Sequence, residues 1–408
     1  MHSTMDDNTK HQILARINSF QSTELLPLIK QGDIPLLDMK LAGLQNSKVN
    51  ELTNLIETAE KDERIQRQKT ADAAEKQRIK DVHFSNIANR HPDYDENKIR
   101  QLLEEGAFTV ENLVWELEFT HEDIEKIVNP VQMDTGFPDW KDLPDLPEGR
   151  TDIYVFGIVG SGKSTMLAGI LHQAQKAGMI EADPNYRVGV HYKDELIRRI
   201  KLGILPNGTM ADVLNFIPII LYDKDEIGHP LSFIEMSGEN FTRTYNSGKV
   251  NDPDSIGART YLNNNNRKIL MFVIDYRHHK FGHDIREIAT QDAQLQNVLM
   301  LLSNDGTLDK TDALMIVVTK ADLFSKSISL NDAVHQFLIS SDYLNFFNTC
   351  KRLKEKHKFR LILHPFSLGT FKLPKIYDFN PLFSDNLLSD LISFSFRKKK
   401  TWFERIFK

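Results

Sequence analysis

Glycines, a lysine and hydroxyl side chains follow one apolar run at a spacing suited to holding phosphate. After the apolar residues 153–156, the residues Gly157, Gly162, Lys163 and Ser164 fit the pattern G-x-x-x-x-G-K-[ST]. In such a loop the glycines let backbone amides wrap around phosphate oxygens, the lysine reaches the β- and γ-phosphates, and the hydroxyl ligates Mg²⁺. We therefore predict a nucleotide-phosphate site, rather than a glycine-rich turn without a ligand, built from Gly157, Gly160, Ser161, Gly162, Lys163, Ser164 and Thr165.

Such a loop needs a strand before it and a helix after it, and the sequence supplies both. Residues 153–156 read as a buried strand, and Met166, Leu167, Ile170 and Leu171 give the following segment an apolar helical face. Further strand and helix patterns alternate, as a mostly parallel sheet requires. The predicted strands lie near 152–157, 215–222, 231–235, 268–275, 313–319 and 359–364, and the predicted helices near 163–177, 192–203, 284–303, 330–357 and 383–394. We expect an α/β fold with a mostly parallel sheet.

A second motif indicates which base the nucleotide carries. The apolar run 313–319 ends in Thr319-Lys320-Ala321-Asp322, which resembles the [NT]-K-x-D motif of GTPases. The Asp322 carboxylate can accept hydrogen bonds from the ring N–H and the exocyclic amine of guanine together. Adenine has no matching donors, so a buried carboxylate would stay unpaired. Guanine binding by Thr319, Lys320 and Asp322 is therefore favoured over an ordinary strand end with a surface lysine and aspartate.

The order of these motifs resembles that of the Ras-like, translation-factor class of P-loop GTPases over about residues 150–395. The resemblance implies a P-loop NTPase domain of GTPase type that binds Mg²⁺ with GTP or GDP and hydrolyses GTP. It implies that Glu235 holds a Mg²⁺-bound water and that Gly238 places an amide near the γ-phosphate. It also implies that Thr209 completes the Mg²⁺ shell, although Thr209 is equally suited to cap a helix over 210–214.

The resemblance extends to the loop beside the base. Ser367 and Leu368 follow the predicted strand 359–364, in the position of the S-A-K motif. In GTPases the backbone amides of that motif contact the guanine oxygen. The alternative for Ser367 and Leu368 is a plain loop.

Three residues depart from the family pattern and bear on turnover. Glu235 replaces an aspartate, Glu239 replaces the glutamine that orients the attacking water, and Val159 replaces a glycine beside which a partner's arginine would enter. We therefore expect slow hydrolysis without a partner, with Lys163, Thr209 and Glu239 as the candidate catalytic residues. The alternatives are a GTP-binding scaffold or interaction module with little or no hydrolysis, and a P-loop ATPase.

The stretch between Gly238 and Lys268 is long and polar for the second switch of a GTPase. We interpret it as a mobile segment. Arg243 or Arg259 within it could serve as an internal arginine finger, although solvated surface arginines are the favoured interpretation.

The remaining regions suggest partner binding rather than chemistry. Residues 1–128 are predicted to be all-helical, with two similar three-helix modules joined by a charged, exposed helix over 57–81. Residues 129–150 contain four prolines and are predicted to form a linker before a GTPase-like domain over 151–396. The basic, aromatic tail 397–408 is suited equally to an anionic membrane surface and to packing on a domain.

Composition limits the class of protein. The chain has 408 residues, a formal net charge of −6 and one cysteine, Cys350. A mildly acidic chain gives no global signal for nucleic acid, and a single cysteine excludes an internal disulfide framework. The polar first residues and the lack of a long apolar run predict a cytoplasmic protein, peripheral at the inner face of a membrane if the tail binds lipid. We expect its partners to be GTP and unidentified proteins that contact the helical region and the switch segments.

Overall fold

The computed structural model describes residues 6–128, 136–186, 189–208, 213–238, 241, 253–276, 285–324, 328–340, 343–373 and 376–395. The chain forms two compact units, residues 1–98 and 99–408. The four-part division expected from the sequence stays a prediction.

The first unit is helical in its described part. Its helices are α1 (Asp7–Ala15), α2 (Ser22–Lys30), α3 (Leu36–Leu41), α4 (Asn46–Ala88) and the start of α5 (Glu96–Glu105). A small core holds α1 to α3 and the start of α4 together, and it consists of Ile17, Leu25, Ile34, Met39, Leu44, Val49 and Leu52.

Helix α4 differs from the expectation of two separate helices. The third helix of the first module and the charged connector form one helix of 43 residues, in which the buried residues are Val49, Leu52, Phe84 and Ile87. No residue between the two segments breaks the helical pattern, because the connector contains neither glycine nor proline. The long middle of α4 lies in solvent.

The second helical group lies mostly in the second unit, and capping residues mark its helix ends. After α5 come α6 (Val110–Leu117) and α7 (His121–Val128). Gly106 directly follows α5 with φ 75°, a left-handed conformation that glycine adopts without strain. Thr120 caps α7, since its Oγ1 accepts from the Asp123 amide at 3.2 Å.

A seven-stranded sheet with the order β2-β3-β4-β1-β5-β6-β7 forms the centre of the second unit. Its strands are β1 (Thr151–Phe156), β2 (Ile180–Ala182), β3 (Leu214–Tyr222), β4 (Gly228–Met236), β5 (Arg267–Asp275), β6 (Thr311–Thr319) and β7 (Arg360–Phe366). Strands β4, β1, β5, β6 and β7 are parallel, whereas β3 and β2 are antiparallel additions at one side. The predicted α/β fold class is therefore confirmed, with a strand–phosphate loop–helix unit at the centre of a mostly parallel sheet.

Helices cover both faces of the sheet. They are α8 (Lys163–Lys176), α9 (Val190–Lys201), α10 (Pro253–Leu262), α11 (Ile285–Asn304), α12 (Leu330–Ile339), α13 (Leu344–His357) and α14 (Leu382–Phe394). Strands β1, β4, β5 and β6 are buried over almost their whole length, as strands between two helical layers must be, whereas only the last three residues of the edge strand β7 are buried. Because parallel strands end at one edge, the residues that follow β1, β4, β6 and β7 lie side by side there.

Three elements were not predicted. They are the short edge strand β2, the helix α10, and a two-stranded hairpin of β8 (Gly369–Leu373) and β9 (Ile376–Phe379). Helix α10 lies in the stretch interpreted as mobile, and Tyr261 near its end packs against buried Trp140 with ring centroids 5.8 Å apart. Aromatic packing therefore orders part of a polar segment.

Among the helices that the structure describes, none combines the length and the apolar character needed to cross a bilayer.

Candidate functional site

The loop after β1 has the backbone geometry that phosphate binding requires. Gly160 and Gly162 have φ values of 74° and 91°, in the left-handed region. At Gly157 a Cβ atom would lie 2.7 Å from the Val273 carbonyl oxygen, so only glycine fits. Helix α8 begins at Lys163, directly after the loop. A loop that ends in a helix N-terminus directs amides and the positive end of the helix dipole into the same space.

Lys163 folds back over this loop. Its ammonium donates to the carbonyl oxygens of Gly157 at 2.8 Å and Ile158 at 3.0 Å, and the side chain is buried. Two bonds to the loop's own backbone fix the ammonium above the cradle. A phosphate held by the loop amides would lie next to this charge.

Glu235 meets the start of α8 from the neighbouring strand. It lies opposite Val155 in the β1–β4 register and is fully buried. Ser164 Oγ donates to Glu235 Oε1 at 2.7 Å. A hydroxyl beside a carboxylate at a phosphate loop is an oxygen donor set of the kind that Mg²⁺ prefers, with phosphates and waters as its other ligands. These residues therefore fit a magnesium ion.

Two residues that the sequence did not indicate hold the other oxygen of this acid. Tyr192 on α9 donates its hydroxyl to Glu235 Oε2 at 2.7 Å, and Asn215 on β3 donates to the same atom at 3.2 Å. The Asn215 contact follows from the antiparallel register, in which Asn215 lies opposite Glu235. The polar Asn215 in an otherwise apolar strand could have indicated this contact, whereas nothing in the sequence placed Tyr192 near Glu235.

Gly238 approaches the loop closely. A Cβ atom at this position would lie 2.1 Å from the Val159 amide nitrogen, so a larger residue would displace one of the two segments. Val159 itself has 55% of its surface exposed, at the loop position where it was expected to hinder an entering arginine. The predicted residues Thr209 and Glu239 lie outside the described residues, as does Arg243.

The predicted base residues come together at the ends of β6 and β7. Ser367 Oγ donates to Asp322 Oδ1 at 2.8 Å, and the side chain of Leu368 is buried next to it in the chain. The Lys320 ammonium pairs with Asp275 at the end of β5. This contact was not predicted, and it directs the Lys320 side chain from the end of β6 to the end of β5.

Thr319 links the base residues to the phosphate loop. Its Oγ1 donates to the Ser161 carbonyl at 2.8 Å, and its methyl carbon lies 3.3 Å from the position of a Cβ at Gly162. The structure thus brings the two predicted halves of the site, the loop 157–164 and the residues 319–322, into direct contact.

Arg259 forms a two-pronged ion pair with Asp305, and both side chains are largely covered. Its guanidinium therefore binds a carboxylate rather than lying free in solvent, and its role as an arginine finger stays a prediction. The pair fastens α10 to the end of α11.

A second buried polar cluster lies at the opposite edge of the sheet, where β1 and β5 begin. Asp152 accepts from the side-chain amides of Asn264 at 2.8 Å and Asn266 at 3.3 Å. Lys268 donates to the backbone carbonyls of the same two asparagines, at 2.9 and 2.6 Å. The asparagine run that was interpreted as mobile is thus part of a buried network, which we call the amino-edge cluster (Asp152, Asn264, Asn266 and Lys268).

Burial shifts the ionisation of both charged members of the amino-edge cluster. Removal from water raises the pKa of Asp152 to about 6, although bonds from the asparagines and attraction to Lys268 oppose the change. Burial also lowers the pKa of Lys268 to about 8, against the attraction of Asp152.

No metal centre made of amino-acid ligands alone is found in the part of the chain that the structure describes, where no three His, Cys, Asp or Glu side chains converge. This agrees with the donor set at Glu235, because a Mg²⁺ ion at a phosphate loop takes most of its ligands from phosphate and water.

Comparisons with known proteins add little. No protein-family model matches the chain, and no curated protein matches its sequence. Structures of Toc33 from Arabidopsis thaliana are similar over part of the chain. A dimerization-deficient mutant has 13% identity and a TM-score of 0.32, covering 59% of this chain and 82% of its own. The complex with Mg²⁺ and GMPPNP has 12% identity and a TM-score of 0.32, covering 60% and 83%. These values are too low to support an argument, so the site rests on the chain's own geometry.

Proposed function

We propose that the chain is a GTP-binding molecular switch that binds Mg²⁺ with GTP or GDP at the carboxyl edge of its sheet and hydrolyses GTP slowly without a partner. The observation that carries this proposal is the contact between the two halves of the site. Asp322, the acid suited to guanine, lies next to Ser367 and is joined through Thr319 to the glycine loop suited to phosphate. One continuous site of this kind offers a purine acceptor and a phosphate cradle together.

Each residue of the site has a role in this proposal. The loop amides and Lys163 hold the β- and γ-phosphates, and the backbone of Gly238 closes the γ-phosphate side. Ser164 and Glu235 hold Mg²⁺, which supplies charge neutralisation of the phosphates when bound. Asp322 selects guanine, while the Ser367–Leu368 loop covers the base. Thr209 and Glu239 remain proposed members of the metal shell and of the water-orienting machinery.

Slow turnover follows from the residues around the γ-phosphate. Val159 projects from the loop into solvent, so an arginine from a partner would meet a branched side chain there. Both oxygens of Glu235 already accept hydrogen bonds from the protein, so fewer of its lone pairs are available to hold a water of the Mg²⁺ ion. These features also favour a second candidate, a GTP-binding scaffold in which nucleotide loads but is hardly hydrolysed. Single-turnover hydrolysis measurements separate the two, since the scaffold would release no phosphate over many hours.

The other regions are proposed to read out the nucleotide. Protein partners would bind the helical N-terminal region and the segments that contain Thr209 and Glu239. The tail 397–408 would contact an anionic membrane surface, which would place the chain in the cytoplasm and at the inner face of a membrane. Pelleting with anionic vesicles, compared between the intact chain and one that ends at residue 396, tests the tail.

Equilibrium binding of fluorescent GTP, ATP and XTP tests the proposed specificity. In Asp322→Asn the GTP affinity should fall about a hundredfold, because two hydrogen bonds to a charged acceptor are lost. XTP affinity should rise, since the new amide donates to the second carbonyl of xanthine. Asp225→Asn is the control, because this exposed aspartate lies in the turn before β4 at the other edge of the sheet. Equal affinity of the unaltered protein for GTP and ATP would refute guanine selection and favour an ATPase.

A further inference from the structure

Helix α9 connects the acid of the proposed magnesium site with the helices that precede the sheet. At its start, Tyr192 donates to Glu235 Oε2 at 2.7 Å. At its end, Arg199 donates to Glu125 Oε1 on α7 at 2.8 Å. These two contacts lie at opposite ends of one short helix of 12 residues.

The start of α9 is fixed against the sheet next to the site. Gly189 precedes the helix with φ 79°, and a Cβ atom at this glycine would lie 2.0 Å from the Phe216 carbonyl oxygen. Phe216 follows Asn215, the other residue that binds Glu235 Oε2. The close backbone approach therefore places Tyr192 beside Asn215, so that both donors reach the same carboxylate oxygen.

The three donors to Glu235 offset a departure from the family pattern. A glutamate has one more rotatable bond than the aspartate expected at this position, so its carboxylate has more conformers to lose on binding metal. Ser164 holds one oxygen at 2.7 Å, and Tyr192 holds the other at the same distance. Tyr192 thereby fixes the longer side chain in a single arrangement at the mouth of the phosphate loop.

The end of α9 is buried around Arg199, whose side chain is 1% exposed. Besides Glu125, the guanidinium binds the Leu205 carbonyl at 3.0 Å and Asn207 Oδ1 at 3.0 Å. Residues 205–207 lead directly to Thr209. One guanidinium thus joins helix α7 to the segment that enters the proposed first switch. A buried, multiply bonded arginine moves only together with its partners.

We propose that Tyr192 is a positioning residue for Glu235 in the magnesium site, and that α9 couples occupancy of this site to helix α7 through Arg199. This rests on the proposed Mg²⁺–GTP binding. A bound ion changes what the Glu235 carboxylate contacts, and Tyr192 transmits that change to α9. By linkage, a ligand that binds α7 changes the affinity for Mg²⁺ by the same factor by which Mg²⁺ changes the affinity for that ligand.

The first test measures the affinity for fluorescent GTP as a function of Mg²⁺ concentration. In Tyr192→Phe the GTP affinity in EDTA should stay unchanged. The Mg²⁺ concentration that gives half of the maximal increase in GTP affinity should rise about tenfold, because one hydrogen bond to a charged group is lost. Tyr222→Phe is the matched control, because Tyr222 also donates to a glutamate, Glu181, at 2.8 Å, at the opposite edge of the sheet.

The second test measures hydrogen exchange of the α7 amides with GTP, in EDTA and in Mg²⁺. In the unaltered protein Mg²⁺ should slow exchange over residues 121–128, and Tyr192→Phe should abolish this difference. Glu125→Gln removes the charge at the far end of α9, so it should leave the Mg²⁺ titration normal and still abolish the response in α7.

The outcomes separate the two proposals. If the unaltered protein shows no Mg²⁺-dependent GTP binding, the proposed function fails and the role of Tyr192 fails with it. If that binding is present but Tyr192→Phe has the same Mg²⁺ dependence as Tyr222→Phe, only the positioning role is refuted. If exchange in α7 responds to Mg²⁺ equally in Glu125→Gln and the unaltered protein, the coupling through Arg199 is refuted.

Discussion

Both edges of the sheet bury charged side chains, but they do so in different ways. At the amino edge, Lys268 and Asp152 share two asparagines, and the partners come from a compact turn before β5. At the carboxyl edge, Lys163 donates to two carbonyl oxygens of the loop backbone, and the loop around it has glycines in the left-handed region. The first arrangement holds a buried lysine and a buried carboxylate together through two shared asparagines of a turn, and the second is a glycine-containing backbone loop at a helix start.

Under the proposed function, a buried charge does not by itself mark the binding site. The shifted pKa values of Asp152 and Lys268 would single out the amino-edge cluster, since perturbed ionisation often accompanies function. Its hydrogen bonds instead tie the ends of β1 and β5 together. The carboxyl edge is distinguished by backbone conformation and by residues from four strand ends that converge. Substitutions at the two edges should therefore have opposite consequences for stability and ligand affinity.

The largest effect is expected from Lys268→Met at the amino edge. The substitution removes the cation that faces a buried carboxylate, so the free energy of unfolding should fall by about 3 kcal/mol. The folded fraction should bind GTP with unaltered affinity. Urea unfolding and nucleotide titration check the two statements, with the exposed Lys224→Met as the control. If Lys268→Met lost GTP affinity without losing stability, the amino edge would be part of the binding site and the proposed division between the two edges would be wrong.

Lys163→Met at the carboxyl edge should have the converse effect. GTP affinity should fall about a hundredfold, or about 3 kcal/mol, because the contact to the phosphates is charge-assisted. The free energy of unfolding should change less than after Lys268→Met, by about 1 kcal/mol, because the net contribution of hydrogen bonds to loop carbonyls is small. Fluorescent GTP binding and urea unfolding of one preparation give both numbers. Unchanged GTP affinity would contradict the proposed cradle.

The remaining prediction at the amino edge concerns pH and Asp152. Its pKa is about 6 in the folded chain against an ordinary value of 3.8, so the folded state retains a proton that the unfolded state releases. The contribution of Asp152 to the free energy of unfolding is therefore fully present below about pH 4, falls as the pH rises to about 6, and is constant above that. A shift of this size corresponds to a loss of about 3 kcal/mol.

Unfolding of Asp152→Asn between pH 4 and pH 7 checks this expectation. Relative to the unaltered protein, the variant should gain stability as the pH rises through that window, because an amide does not ionise. Asp225→Asn, at an exposed turn residue, should show no such trend. A stability difference between Asp152→Asn and the unaltered protein that does not vary with pH would show that Asp152 ionises normally.

The sequence was most informative where function requires a fixed local pattern. The loop 157–164 and the Asp322 motif were both found, because each follows an apolar run that can only be a buried strand. Their mutual contact through Thr319 was not predicted, although it agrees with the rule that parallel strands end at one edge. The strand and helix positions of the α/β part agree with the structure for the same reason.

Contacts between distant segments left no local signal. Tyr192 reaches Glu235 from a helix inserted after α8, and its distance depends on how Gly189 packs against β3. Strand β2 has three residues, too few for a periodic pattern, and it exists because the edge of β3 offers pairing groups. Helix α10 is stabilised by contacts such as that of Tyr261 with Trp140, which no pattern within α10 reveals.

The uninterrupted helix α4 has a mechanical consequence. At the rise of an α-helix its 43 residues span about 63 Å, more than the diameter of a small domain. The exposed middle is supported by pairs one turn apart, such as Glu75 with Arg78, rather than by a core. We therefore expect high salt to weaken these pairs and to lower the helix content of α4 first at its exposed centre.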